Sequence, residues 1–328
     1  MGKHSGATPR AGMVSIIIPT RNRPALLRAA VASVLGQTRV VDQVVVVDDA
    51  SDGAEWLPAI EAMSPTLDIV RRQRHGGVSA ARNDGLARAR GDYLLFLDDD
   101  DLIDPELVEA GLERLDADPE VDGVFFRYRT LVSLDAAGED ARLAPATPEH
   151  VPRPARFPFL GATNPVPRAT LEDRPTSAFI RHLLPIHSGF LRRSAVGDSR
   201  FPEGLRQGED TYFWMTLAAA GRRFLLDDHA YAVVRRHAGN TKRSRSRYRV
   251  EIQPCYERLL AEGLLAVPED IYLAHFKLLL FKLLTREGSV SPHVRHVLGS
   301  PRLFAREVRF WTGNLAARLR QLGWESPA

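Results

Sequence analysis

Short apolar segments alternate with helical segments through the first 130 residues, and this alternation limits the fold more than any other feature of the chain. Runs rich in valine, isoleucine and leucine predict buried strands at 13–18, 44–47, 67–71, 93–97 and 121–127. Helical periodicity with suitable start and stop residues predicts helices at 24–35, 54–63, 78–90 and 105–115. Strands that alternate with helices build βαβ units, so the sequence predicts an α/β fold around a mostly parallel, Rossmann-like sheet.

The polar turns after three of these strands are predicted to meet. Right-handed crossovers bring the carboxyl ends of parallel strands to one edge of the sheet, and ligands of open α/β sheets bind at that edge. Thr20 follows the first strand, Asp48 ends the second, and Asp98 to Asp101 follow the fourth. We therefore expect these residues to line one cleft, although they are distant in sequence.

The acidic run Asp98 to Asp101 needs a physical explanation. Two carboxylates about 5 Å apart repel by roughly 3 kcal/mol at an effective dielectric constant near 20. A divalent cation turns this repulsion into attraction, and Mg²⁺, Mn²⁺ and Ca²⁺ prefer oxygen ligands. The alternative is a solvated acidic turn in which Asp101 caps the following helix. The buried strand that leads directly into the run favours the metal site.

Composition is that of an ordinary globular protein, with 44% hydrophobic and 26% charged residues and a net charge of +3. The single cysteine, Cys255, excludes an intramolecular disulfide and a thiolate metal cage. Residues 1–12 lack the apolar segment of a signal peptide, and the apolar residues 271–284 are too few to span a bilayer. We therefore expect a cytoplasmic protein.

The rest of the chain is predicted to complete this domain and to add helices. Residues 135–175 are rich in proline and alanine and predict a long loop or excursion. Further strands are predicted at 187–191, 223–226 and 230–235, and further helices at 211–220, 251–263, 268–286 and 301–321. We divide the chain into a flexible tail (1–12), an α/β domain (13–240) and a C-terminal helical region (241–328).

Five motifs, taken together, resemble the family 2 glycosyltransferases, which have the GT-A fold. They are SIIIPTRNR at 15–23, VVVDDASD at 45–52, GVSAARN at 77–83, LDDDD at 97–101 and GED at 208–210. Each motif alone is weak, but five in the family's order and with similar spacing are specific. The resemblance covers residues 14–237, about two thirds of the chain.

The resemblance implies a nucleotide-sugar site at the predicted sheet edge. Asp48 resembles the carboxylate that accepts a hydrogen bond from uracil, which implies a UDP-sugar donor. Many members have an aromatic residue where Arg21 stands, and a guanidinium plane can also stack on a base. For Asp48 the structural alternative is a turn residue, and for Arg82 it is an exposed helix arginine. The implied nucleotide-sugar contacts are Pro19, Thr20, Arg21, Asn22, Asp48, Arg82, Asp98, Asp99 and Arg243.

The same resemblance implies a metal site and a catalytic base. Asp98 and Asp100 resemble the outer residues of the family's Asp-x-Asp motif, with Asp100 as the direct ligand of Mn²⁺ or Mg²⁺. His237 resembles a late histidine that completes the metal site in some members. Asp210, beside Glu209, resembles the base that takes the proton of the acceptor hydroxyl. The alternative for this pair is the ordinary preference for acidic residues at a helix N-terminus.

We therefore predict an inverting, metal-dependent glycosyltransferase that uses a UDP-sugar and an acceptor hydroxyl in cell-wall or surface polysaccharide synthesis. A second hypothesis is an aspartate-nucleophile phosphohydrolase, although that chemistry usually places its Asp-x-Asp after the first strand. A third is a non-catalytic nucleotide-sugar-binding scaffold, against which the presence of all the expected chemical residues argues. An NAD-linked oxidoreductase is disfavoured because no Gly-x-Gly-x-x-Gly follows the first strand.

Basic residues predict further partners. The run of Arg235, Arg236, Lys242, Arg243 and Arg245 predicts a diphosphate clamp or a track for an anionic glycopolymer acceptor, with a solvated loop as the alternative. Nucleic acid is disfavoured because only Tyr248 interrupts this run with an aromatic ring. The C-terminal helices alternate apolar residues with arginines, which favours packing or a homo-oligomer. Peripheral contact with the inner face of the membrane is the alternative.

Overall fold

The computed structural model describes residues 12–132, 167–182, 184–236 and 245–309. The strands are β1 (Val14–Thr20), β2 (Gln43–Asp48), β3 (Leu67–Arg71), β4 (Tyr93–Phe96), β5 (Leu102–Ile103), β6 (Gly123–Val132), β7 (Gly189–Arg192) and β8 (Phe224–Arg236). The helices are α1 (Pro24–Leu35), α2 (Leu57–Glu61), α3 (Val78–Arg88), α4 (Leu107–Ala117), α5 (Arg168–Asp173), α6 (Pro175–Arg181), α7 (Arg193–Val196), α8 (Glu209–Ala219), α9 (Arg245–Glu251), α10 (Gln253–Ala261), α11 (Pro268–Thr285) and α12 (Ser291–Leu298). Residues 301–309 are also helical.

The described strands form one eight-stranded sheet in the order β3-β2-β1-β4-β7-β6-β8-β5. Its first part is parallel, because β1 pairs with β2 and β4, and β2 pairs with β3. Strand β7 lies antiparallel between β4 and β6, β6 and β8 are parallel, and the short β5 is antiparallel to β8. The predicted α/β fold with a mostly parallel sheet is confirmed. The pairing of β1 with β2 places Thr20 opposite Asp48 at the carboxyl edge of the sheet.

The sheet separates two apolar cores, because successive side chains along a strand point to opposite faces. In β1, Ile17 belongs to one core and Ile16 and Ile18 to the other. Helices α1 and α4 contribute to the core that contains Ile16. Helices α3, α6, α8, α10 and α11 contribute to the core that contains Ile17. The C-terminal helices therefore share a core with the sheet.

Strand β8 is one continuous strand, whereas the sequence predicted two. Asp227 interrupts the apolar pattern, but its carboxylate accepts hydrogen bonds from Arg114 at 2.8 Å and from the His229 amide at 2.7 Å. These contacts let the chain bulge without ending the strand. The pairing of β8 with β6 shifts register between Phe126 and Arg127.

The C-terminal helices also differ from the predicted ones. The helix predicted at 251–263 is α10, and a separate helix, α9, precedes it at 245–251. The two are distinct because Pro254 can occupy the first turn of a new helix but cannot continue an old one. Helix α12 was not predicted. The predicted helix 301–321 is described only as far as residue 309, and most of the loop predicted at 135–175 lies outside the described residues. None of the helices described is both long enough and apolar enough to cross a bilayer.

Candidate active site

The turn after β1 supplies partners to the acidic run after β4. The Thr20 hydroxyl donates to Asp99 at 2.7 Å, and Arg23 donates to Asp99 at 3.1 Å and to Asp100 at 2.9 Å. Burial raises the pKa of Asp99 to about 6, and the Arg23 charge acts against that rise. The predicted convergence of these two turns is therefore confirmed. Asp100 faces Arg23, and its assignment as a direct metal ligand stays a prediction.

Asp101 and His187 form a more deeply buried part of the site. Asp101 accepts from the Arg235 amide at 2.8 Å, and its other carboxylate oxygen lies 3.3 Å from His187 Nδ1. Asp101 therefore does not cap the following helix, whose N-cap residue is Glu106. His187 is completely buried, yet neither ring nitrogen has a hydrogen-bond partner among the described residues. Burial lowers the pKa of His187 to about 4, so the ring is neutral and offers a lone pair.

Asp98, Asp101 and His187 are arranged so that they can hold a divalent cation. One ligand atom from each residue lies within 4.8 Å of the others. Two carboxylates and a neutral imidazole are a donor set that suits a divalent ion. A buried polar group without a partner costs about 1–3 kcal/mol, and a cation would supply the partner that no described residue gives His187. The predicted ligand His237 lies outside the described residues.

Arg82 joins the acidic run to the start of α8. Its guanidinium donates to Asp98 at 2.6 Å and to Glu209 at 3.1 Å, and its side chain is only 3% exposed. The guanidinium also lies 5.2 Å from the centre of the Phe201 ring. Burial alone would raise the pKa of Asp98, but Arg82, together with His187 and Arg23, outweighs burial and holds that pKa below its ordinary value. The alternative of an exposed helix arginine is therefore wrong.

Asp210 lies in the first turn of α8, next to Glu209. Its carboxylate accepts from the Thr211 amide at 2.7 Å. Burial and the neighbouring Glu209 charge raise the pKa of Asp210 to about 7, with Arg82 acting in the opposite direction. A carboxylate whose pKa lies near neutrality is well matched to proton transfer from a hydroxyl.

Asp48 ends β2 at the same sheet edge and is completely buried. One carboxylate oxygen accepts from the amide of Ser51 at 3.1 Å and from its hydroxyl. The other oxygen lies 3.3 Å from Arg71 Nε but has no hydrogen-bond partner among the residues described. Asp48 is therefore a turn residue, as the structural alternative predicted, that also has acceptor capacity left for a ligand N–H group.

Asn22 and Arg21 tie the turn after β1 to the turn after β2. The Asn22 side chain donates to the Asp52 carboxylate at 2.7 Å and accepts from the Asp52 backbone amide at 2.8 Å. The backbone amide of Asn22 donates to Ser51 Oγ at 2.9 Å. Arg21 is exposed, and its Nε lies 3.5 Å from the Ala50 carbonyl. These contacts fix the two turns relative to each other beside Asp48.

The basic run after β8 is described only in part. Arg235 was predicted to belong to an exposed clamp or track, but it is 2% exposed. Its guanidinium donates to the carbonyl of Asp100 at 2.7 Å and to that of Asp99 at 3.2 Å. Arg235 therefore supports the backbone of the acidic turn, whose carbonyls need donors once they are buried. Residues 237–244, which include Arg243, lie outside the described residues.

Sequence reasoning assigned no role to two charged residues of this edge. Arg23 stands in the first motif, and its charge complements the acidic run at a turn that was expected to lie nearby. Asp49 accepts from the amides of Gly76 and Gly77 at 2.9 and 2.7 Å and so anchors the loop before α3. Charge complementarity between converging turns could have identified Arg23. Nothing in the sequence distinguished Asp49 from its neighbour Asp48.

Residues 15–166 match the family model for glycosyl transferase family 2. The succinoglycan biosynthesis protein ExoO of Rhizobium meliloti is 29% identical over 239 residues, which are 70% of this chain and 62% of ExoO. The minor teichoic acid biosynthesis protein GgaB of Bacillus subtilis is 35% identical over 106 residues, which are 31% of this chain and 12% of GgaB. The chain thus spans less than two thirds of the length of either relative.

Two solved structures are similar to this chain. S. aureus TarS 1-349 in complex with UDP-GlcNAc has a TM-score of 0.53 and 19% identity, over 87% of this chain and 70% of TarS 1-349. The mannosyltransferase PcManGT from Pyrobaculum calidifontis, in complex with GDP-Man and Mn²⁺, has a TM-score of 0.54 and 17% identity, over 92% and 87% of the two chains. At these identities the likeness shows the fold, and it confirms the predicted GT-A fold.

Proposed function

Because residues 15–166 match the family model for glycosyl transferase family 2, we propose that the chain moves a sugar from a nucleotide-diphosphate donor to an acceptor hydroxyl, with inversion and with a divalent cation. The observation that carries the proposal is the contact of one buried side chain, Arg82, with both Asp98 and Glu209. Through it, the acidic run that would face the donor diphosphate adjoins the carboxylates that would face the acceptor.

For the donor, we propose a UDP-sugar. Asp48 is buried at the carboxyl edge, where one carboxylate oxygen has no hydrogen-bond partner among the described residues, and a uracil N–H is a donor of the required kind. The exposed Arg21 guanidinium would stack on the base. One similar structure contains UDP-GlcNAc and the other GDP-Man, so guanine is the competing base.

For the cation, we propose Mn²⁺ or Mg²⁺ held by Asp98, Asp101 and His187. The family resemblance implies Asp100 as a ligand as well. When bound, such an ion neutralises charge on the departing nucleotide diphosphate. Arg23 keeps Asp100 paired at 2.9 Å and thereby limits repulsion within the acidic run. His187 and Asp100 can be separated as ligands by substitution, because each has different partners in the structure.

For the base, we propose Asp210 rather than Glu209. Glu209 pairs with Arg82 at 3.1 Å, so its carboxylate is already committed to that guanidinium. Asp210 has a pKa raised to about 7 by burial and by Glu209, so it can take the acceptor proton as the new bond forms. In an inverting displacement this base must lie on the face opposite the departing nucleotide.

For the acceptor, we propose an anionic glycopolymer. Arg206 lies two residues before Gly208, the N-cap of α8, and its side chain is 75% exposed. Arg247 of α9 is 59% exposed, and both arginines contact Glu251. Exposed charges of this kind attract a polyanion in a salt-dependent manner. Turnover on a teichoic-type polymer that is unchanged between 50 mM and 500 mM NaCl would rule the polyanion out.

The test of the donor is calorimetric titration with UDP and with GDP, each with and without Mn²⁺. We expect UDP to bind in a Mn²⁺-dependent manner and Asp48→Asn to weaken that binding by about tenfold, the value of one hydrogen bond. Asp68→Asn is the matched control, because Asp68 lies near the opposite end of the neighbouring strand β3, where it pairs with Arg88. Preference for GDP would change the donor, and absence of any nucleotide binding would remove the transferase proposal.

The metal ligands are separated in the same titration with Asp100→Asn and His187→Gln. Loss of the Mn²⁺ dependence in His187→Gln alone would support the site of Asp98, Asp101 and His187. Its loss in Asp100→Asn alone would support the ligand implied by the family resemblance. Mn²⁺ dependence that survives in both variants would exclude these two ligands.

A further inference from the structure

The start of α8 is packed directly against the C-terminal helices. Gly208, the N-cap of α8, has a φ of 84°, in the left-handed region that suits glycine. A Cβ at this position would lie 2.5 Å from Ile252 Cδ1 and 3.0 Å from both Cβ and Sγ of Cys255. No side chain fits between Gly208 and α10. The residue that immediately precedes Glu209 and Asp210 is therefore fixed by α10 and by Ile252, the residue before it.

Cys255 makes a polar contact within this packing. Its Sγ lies 3.2 Å from the Gly208 carbonyl oxygen, which also accepts the first hydrogen bond of α8 from the Tyr212 amide at 2.8 Å. The thiol is completely buried. Burial, together with the charges of Asp210 and Glu209, raises the pKa of Cys255, so the sulfur keeps the proton that it donates.

Helix α10 contacts α8 a second time, one turn further on. Arg258 lies over the Tyr212 ring at 4.8 Å and pairs with Glu262 at 2.6 Å. The Tyr212 hydroxyl donates to the same Glu262 carboxylate. Two successive turns of α8 are thus held by one helix and the residue that follows it, which leaves the first turn little freedom to shift.

We propose that Cys255 is a positioning residue for Asp210: its thiol holds the Gly208 carbonyl, and so α10 fixes the first turn of α8 in the geometry that proton transfer requires. This inference rests on the proposed function, in which Asp210 is the base. It assigns catalytic importance to α10, a helix of the C-terminal helical region. The charged and titratable groups that influence Asp210, or are influenced by it, include Glu209, Arg82, Asp98, Tyr248, Cys255 and Tyr256.

The test compares Cys255→Ala, which removes the donor, with Cys255→Ser, which keeps one. The activity is hydrolysis of the UDP-sugar by water, measured with Mn²⁺ across pH 5 to 9, and Leu259→Val is the control for a small core deletion in the same helix. We expect Cys255→Ala to lower kcat about tenfold, with the donor KM unchanged and the acid limb of the kcat profile displaced. Cys255→Ser should recover most of kcat, and Leu259→Val should leave the profile in place.

Hydrogen exchange of residues 209–213 gives a second readout that needs no substrate. We expect exchange there to quicken about tenfold in Cys255→Ala and to return toward the wild-type rate in Cys255→Ser. Equal behaviour of the alanine and serine variants, or faster exchange with unaltered kcat, would overturn the positioning role. Failure of wild type to bind UDP or GDP in the calorimetric test would instead remove the proposed function itself.

Discussion

Replacing Arg82 with methionine removes the charge that links the two halves of the candidate site but keeps a long side chain. Asp98 and Glu209, whose side chains are 33% and 15% exposed, would lose their shared cation. Removal of one partner from a buried ion pair costs about 3–5 kcal/mol, and the partial exposure of Asp98 favours the lower end of that range. A stability of about 5–15 kcal/mol is typical, so the variant should fold with a clearly lower denaturation midpoint.

Urea denaturation at pH 7.5, followed by tryptophan fluorescence, measures this loss. The control is Arg88→Met on the same helix, because Arg88 is 56% exposed and pairs with Asp68 at the surface. We expect its midpoint to match that of wild type. Neutralising both orphaned carboxylates with Asp98→Asn and Glu209→Gln should restore much of the stability lost in Arg82→Met. A shared midpoint for the two arginine variants, or no recovery in the triple variant, would refute the reasoning.

The pH dependence of stability gives an independent test of the pairing between Arg82 and Asp98. Arg82 holds the folded-state pKa of Asp98 below the ordinary value of 3.8. Such a group contributes stability that is present above pH 3.8 and is lost as pH falls through its folded-state pKa. The difference in stability between wild type and Arg82→Met should therefore shrink as pH falls below 3.8. A difference that grows with acid would contradict the assignment of Arg82 to Asp98.

Three further outcomes are expected. Asp210→Asn should lower turnover by about 10²–10⁴-fold while calorimetry shows donor binding intact, and full activity would remove the base assignment. Because the pKa of Asp210 is raised from 3.8 to about 7, its contribution to stability is present below pH 3.8 and is lost as pH rises through 7. The melting temperature of Asp210→Asn relative to that of wild type should therefore rise between pH 4 and pH 8. The same difference in melting temperature at both pH values would contradict the raised pKa. Chelation with EDTA should abolish donor hydrolysis and added Mn²⁺ should restore it, whereas activity that persists in EDTA would exclude the cation.

The parallel part of the sheet could be predicted because its signals are local. Each of β1 to β4 is a short apolar run, and each is separated from the next by a helix or a turn that the sequence marks. The convergence of Thr20, Asp48 and the acidic run then followed from the handedness of the crossovers. The antiparallel strands were harder to predict, since β7 pairs with β4, about 100 residues away in sequence, and with β6, about 65 residues away.

The electrostatic partners within the site could not be predicted from patterns along the chain. Arg82 has the appearance of a surface residue in a polar helix segment, and its burial depends on α8, more than 120 residues away. His187 is buried against Asp101 for the same kind of reason. Arg235 was grouped with exposed arginines because its neighbours in sequence are basic, whereas the bulge and register of β8 turn it inward.

The core that the sheet shares with α10 and α11 has a thermodynamic consequence. Leu259 and Leu278 belong to the same buried cluster as Ile17 and Phe213, so neither the sheet nor the helices can bury their apolar side chains alone. The two regions should therefore melt together, in a single calorimetric transition whose enthalpy equals the van't Hoff enthalpy. A proteolytic cut near residue 240 should release no fragment that refolds by itself.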